Sequence, residues 1–110
     1  MTDVTPLLTA VDRFADRLRA LPQSALTRGA AAEGLALARE LAARAQRLEE
    51  PGGRPRTVPD AGVFAVGDQV AVTGHDLAEA LRRTPEGARE LADALALVEA
   101  AARGTGPAAG

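Results

Sequence analysis

The chain has 110 residues, with thirteen basic against fifteen acidic side chains and a net charge of −2. That balance gives no basic face for a nucleic acid, and the only two aromatic residues, Phe14 and Phe64, make no stacking platform for bases. The length suits one domain with one modest core, and the absence of Cys removes disulfides, thiolate nucleophiles and Cys-based metal sites.

Every basic residue is Arg, and Lys, Ile, Asn, Tyr and Trp are missing, a GC-rich codon bias of actinobacterial type that carries no mechanism. No window reaches the ~18 consecutive apolar residues of a membrane span. The start, Met1-Thr2-Asp3-Val4, lacks the basic and apolar regions of a signal peptide, so the expected location is cytoplasmic. The core must be assembled mainly from Ala, Leu and Val, and because each Ala buries little area, a partner or a second copy would add stability.

A first helix is predicted over 6–21. Thr5-Pro6 opens it with a hydroxyl cap and a Pro whose missing N–H costs nothing there. Leu7, Val11, Phe14, Leu18 and Leu21 share one face, with Asp12, Arg13, Asp16 and Arg19 opposite, and Pro22 ends the run.

A second helix is predicted over 25–49, capped by Ser24 and stopped by Pro51-Gly52-Gly53. Its main stripe is Leu26, Ala30, Leu37, Leu41 and Leu48, and a second band of Ala31, Leu35, Ala38 and Ala42 lies roughly 100° around the axis. So wide an apolar arc must meet neighbours on two sides, either two helices of its own chain or a second subunit. Leu35, Ala38 and Ala42 are therefore the candidate anchors for a partner. Glu40 and Arg44 are spaced for a favourable surface pair.

Residues 50–59 contain three Pro and two Gly and read as a loop. It is long enough to cross from one end of a bundle to the other, or to lie along a neighbour as an ordered arm. Arg54 and Arg56 are its candidates for contact with an acidic partner.

The segment 60–83 carries two conflicting signals. Val63, Val66, Val70, Gly74, Leu77 and Leu81 recur at helical steps, with Asp68, Gln69, Asp76, Glu79 and Arg83 on the far side and only Val72 misplaced. Against this, Gly62, Gly67 and Gly74 each cost a helix up to about 1 kcal/mol. Val63 to Val72 also reads as a β-hairpin turning at Gly67-Asp68, and Thr73 to Asp76 resembles a capping box. The stripe outweighs propensity, and an isolated hairpin is marginal in water. The reading is a continuous helix whose glycines mark close approach to the second and fourth helices. The alternative is an α+β chain whose hairpin pairs with that of a second copy.

Thr84-Pro85-Glu86 repeats the opening device of the first helix and starts a fourth, over 85–103, with Ala88, Leu91, Leu95, Val98 and Ala102 as its stripe. Gly104 is placed to end it, and 105–110 reads as a disordered tail. The expected fold is thus an all-α, four-helix, Ala/Leu-rich bundle forming one domain over 1–104.

No constellation carries chemistry. His75 is the only histidine; helical spacing puts it near Asp68 and Glu79, but a metal site needs more ligands, and no Glu-x-x-His pair occurs. Ser24 is the only serine and sits at a cap outside any nucleophile motif. Asp12, Asp16, Glu33 and Glu40 fall on polar faces. Helical-hairpin proteins of type VII secretion are similar in size and acidity, but their Trp-x-Gly turn is missing here, and no family resemblance is drawn.

The expected function is that of a non-enzymatic protein-interaction module, pairing with a second copy or another protein in an accessory, scaffolding or regulatory role. It is expected to use no catalytic residue, metal or cofactor, and to meet neither nucleic acid nor membrane. The alternative is a domain that binds a small ligand in an apolar pocket between helices, with Arg82 or Arg83 near its mouth. An enzyme built on His75 is the third possibility.

Overall fold

The computed structural model describes residues 2–105. Of the expected tail over 105–110, residues 106–110 lie outside them, while Thr105 is ordered and buried, its hydroxyl donating to the Ala101 carbonyl at 3.1 Å. Among the described residues the chain is all-helical: α1 (Thr5–Ala20), α2 (Gln23–Ala25), α3 (Ala31–Glu49), α4 (Val66–Arg82) and α5 (Ala88–Gly104). The four long helices are those the periodicity requires, and the hairpin at 63–72 does not form.

All four expected helix starts differ from the structure, each for a local reason. At α1 Thr5 is the first helical residue instead of the cap, and its N–H is accepted by the Asp3 carboxylate at 3.0 Å. This bond holds the Asp3 carboxyl below its ordinary pKa. Ser24 lies within the short α2 and caps nothing. At the fourth helix, Thr84 belongs to the preceding element: its hydroxyl donates back to the Ala80 carbonyl at 2.9 Å, and α5 begins only after Gly87.

The expected helix over 25–49 is interrupted. Between Leu26 and Ala30 the chain kinks at Gly29, which takes φ 156° and ψ −23°, a conformation L side chains rarely adopt. The kink lets Leu26 and Ala30 enter the core before α3 sets off. Further on, the expected helix over 60–83 begins late: the Asp60 carboxylate accepts the Gly62 N–H at 2.9 Å, and a 3-10 turn over Val63–Ala65 delivers the chain into α4 only at Val66.

The long helices stand at four corners in the order α4, α1, α5, α3, so that α1 and α3 each touch both α4 and α5. Gly67 packs at Ala15 and Arg19 while Gly74 packs at Val11, so α1 and α4 run antiparallel. Gly34 of α3 meets Val66 at the start of α4, and Leu48 and Leu77 share a hollow near their far ends, so α3 and α4 run parallel. A parallel pair needs a connection that travels the length of the bundle, and the loop after Glu49 supplies it. The core is filled by Leu7, Val11, Leu18, Leu41, Val70, Leu77, Leu81 and Val98.

The glycines of α4 are sites of close approach, as expected, but the helix they admit is α1, not the second or fourth predicted helix. A Cβ on Gly67 would lie 2.8 Å from Arg19 Cγ and 3.0 Å from the Ala15 carbonyl oxygen. Close packing along this seam offsets the poor helix propensity of the segment.

Candidate functional site

The candidate anchors on α3 are largely occupied by the chain itself. Ala38 is fully buried in the core, Leu35 is half-buried against it, and Ala42 lines a groove with Thr73 and Asp76 of α4 and Val58 of the loop. Around α3 the neighbouring helices are α4 and α5, with the loop after Glu49 lying over Ala42 and Gln46. The wide arc therefore has its two neighbours within one chain.

What covers the second band is an ordered strap, residues 53–62, running back along α3. Gln46, 9% exposed, reads two backbone groups at once: its Nε2 donates to the Arg54 carbonyl, and its Oε1 accepts the Arg56 N–H at 3.0 Å. Arg39 Nε donates to the Val58 carbonyl at 2.9 Å, and Gln69 Nε2 to that of Pro59 at 2.8 Å. The candidate Arg54 and Arg56 thus contribute backbone groups to the strap and leave their side chains exposed. The Arg56 guanidinium reaches Glu50 at 2.8 Å.

Sequence reading missed Gln46, though a signal existed. The second band runs 31, 35, 38, 42 and continues at 45 and 46, and Gln46 is the one polar residue on it. Arg17 was also missed. Its guanidinium lies 5.5 Å from the Phe14 ring centroid and donates to the Ala102 carbonyl and, at 3.0 Å, to Thr105 Oγ1. It thereby caps the carbonyl end of α5 with positive charge and joins it to α1.

His75 is partnered across helices. Its Nε2 lies 2.7 Å from Asp12 Oδ1 on α1, both side chains being about half exposed. The expected neighbours are engaged elsewhere: Asp68 with Arg19 at 2.8 Å, and Glu79 with Arg82 and Arg83 at 3.1 Å each. The Asp68 carboxylate, aided by Asp16, raises the Arg19 guanidinium above its ordinary pKa. Glu40 pairs with Arg44 at 2.9 Å, as the i,i+4 spacing requires. Among the described residues, no three His, Asp or Glu side chains group as metal ligands would.

The surface feature that stands out is apolar. Phe64 is 69% exposed and Val72 61%, the two large hydrophobic side chains most open to solvent among the described residues. Both lie on the outward side of the Val63–Arg82 segment, opposite the seams with α1 and α3. Arg82 lines a hollow of about 380 Å³ with Thr2, Asp3, Val4, Thr5 and Leu8 at the bundle's end rather than between its long helices. No helix is long and apolar enough to cross a membrane among the described residues.

Compared with protein-family models, curated proteins and solved structures, the chain matches none.

Proposed function

We propose that the chain is a small non-enzymatic interaction module that pairs with a second copy of itself through the outer face of α4, in an accessory, scaffolding or regulatory role. The exposure of Phe64 and Val72 supports this reading, because an aromatic side chain left in water forgoes the burial available in a core. With its α3 arc covered by α4 and the strap, the surface for a partner moves to α4.

Charge supports a two-fold, antiparallel pairing. Asp60 and Asp68 flank Phe64, with only Arg19 set against them among the described residues, while Arg82 and Arg83 share the single Glu79 at the other end of the face, so the two ends keep opposite net charge. A two-fold axis near its middle sets the acidic end of each copy beside the basic end of the other. From Phe64 to Arg82 is about 27 Å at 1.5 Å per residue. Such a face, with flanking residues of α1, falls at the low end of interface sizes, so the pairing is weak and depends on concentration.

Size-exclusion chromatography with light scattering tests it. At on the order of 100 micromolar the parent chain runs as a dimer and Phe64→Glu as a monomer, while on dilution to where the parent is also monomeric the two melt alike. A parent chain that stays monomeric at that concentration rules out self-pairing.

A further inference from the structure

The strap reads Arg54-Pro55-Arg56-Thr57-Val58-Pro59. Residues 54, 56 and 58 turn backbone groups inward to Gln46 and Arg39, as alternate residues of an extended strand share one edge. Pro55 and Pro59 have no N–H, so the segment cannot act as a template for a β-strand of another chain. Thr57 lies between them, exposed, the only hydroxyl residue of the strap, and without a hydrogen bond among the described residues. Arg54 and Arg56, three and one positions before it, hold their side chains in solvent.

We propose that Thr57 is a phosphorylation site for a Ser/Thr kinase that selects Arg at these two upstream positions, and that the phosphate unlatches the strap. A kinase cleft takes its substrate as an extended segment and holds upstream Arg side chains with carboxylates. The strap presents that conformation without unwinding any helix. In the step, Thr57 Oγ1 bonds to the γ-phosphorus of ATP and the bond to the β-phosphate oxygen breaks. ADP leaves with the electron pair, and the hydroxyl proton passes to the carboxylate base of the kinase.

Glu49 and Asp76 line the same groove as Thr57. A phosphate adds about −1.5 to −2 charge there, against two acids. Arg56, the one cation lining that groove, is already engaged by Glu50. Repulsion lifts the strap and opens the bonds it makes to Gln46 and Arg39.

The experiment incubates the full-length chain with ATP and the catalytic domain of an Arg-selective Ser/Thr kinase. Mass spectrometry should place one phosphate on Thr57. Thr57→Val should take up none, and Arg54→Ala with Arg56→Ala should slow uptake roughly tenfold while leaving the circular dichroism unchanged. In the phosphoprotein, amide exchange at Arg56 should rise at least tenfold while the core amides of α3 and α4 keep their protection. Phosphate on another hydroxyl, no uptake by the folded chain, or an Arg56 amide that stays protected would each overturn the proposal.

Discussion

Replacing Gly74 by Ala sets two effects against each other in the segment where local propensity and packing disagree. The added Cβ would lie 2.5 Å from Val11 Cγ1, 2.7 Å from Cγ2 and 3.1 Å from Cβ. Ordinary carbon contacts are about 3.5–4.0 Å, so the overlap is about 1 Å with two methyl groups at once. Val11 is fully buried and β-branched, so it has no alternative rotamer to swing into. Relief must come from moving α1 away from α4, which also loosens Gly67 against Arg19. Overpacking of this kind costs about 1–3 kcal/mol, and two blocked methyls put Gly74→Ala at the upper end. The helix-propensity gain of Ala over Gly returns about 1 kcal/mol. The net expectation is a loss of about 1–2 kcal/mol, a fall in Tm of about 4–16 °C for a domain of this size. Urea unfolding followed by circular dichroism should show a lower midpoint at unchanged slope. Val11→Ala removes both obstructing methyls, and in that background Gly74→Ala should cost nothing, a coupling of at least about 1 kcal/mol. If Gly74→Ala stabilises the parent chain, or if the two changes simply add, then the glycine is not there to admit α1.

Three further outcomes follow from the geometry. Arg17→Ala removes the cation that caps α5 and its contact with Phe14, and should cost about 1–2 kcal/mol in urea unfolding, with Arg17→Lys recovering only part. Gln46→Ala leaves the Arg54 carbonyl and Arg56 N–H without their partner. It should cost about 1–2 kcal/mol and speed amide exchange at Arg56, while the helices persist. At Asp3 the Thr5 N–H bond depresses the folded-state pKa below the ordinary 3.8. Its contribution to stability is therefore present above that ordinary value and lost as pH falls through the depressed one. NMR titration should place the Asp3 midpoint below 3.8, and Asp3→Ala should flatten the acid side of the stability profile.

How much could be read in advance varied along the chain with the kind of signal. The stripes of α1 and α3 were plain because one helix face repeats at a fixed period whatever it packs on. That of α5 is only partly right: Ala94, outside the expected stripe, is fully buried, Leu95 stays off the core and Ala88 is exposed. Caps were harder: Thr5, Ser24 and Thr84 all had suitable hydroxyls, yet Asp3 and a Pro22 turn took the first two roles, and Thr84 closed α4 instead of opening α5. A capping side chain has several backbone groups within reach, and sequence does not rank them. Gly29 gave no warning, since one glycine inside an Ala-rich run is compatible with either a regular helical turn or the kink that forms. The face carrying Phe64 and Val72 was half visible. Val72 stood out as the residue off the stripe, but the exposure of Phe64 depends on where the 3-10 turn sets the start of α4.

From sequence alone came the number and order of the long helices, the wide apolar arc of α3 and the need for close approach at Gly67 and Gly74. These are local properties, fixed by spacing along one helix and by the absence of a Cβ. Only the tertiary structure decided which neighbour answers each of them. The α4 glycines admit α1, the second band of α3 is covered by α4 and the strap, and His75 finds Asp12 sixty-three residues away. The reason is that pairing depends on complementary shape between distant segments. An Ala/Leu stripe offers much the same surface to several partners, and the parallel placement of α3 and α4 rests on side chains such as Gln46 and Arg39 reading the backbone of the loop between them.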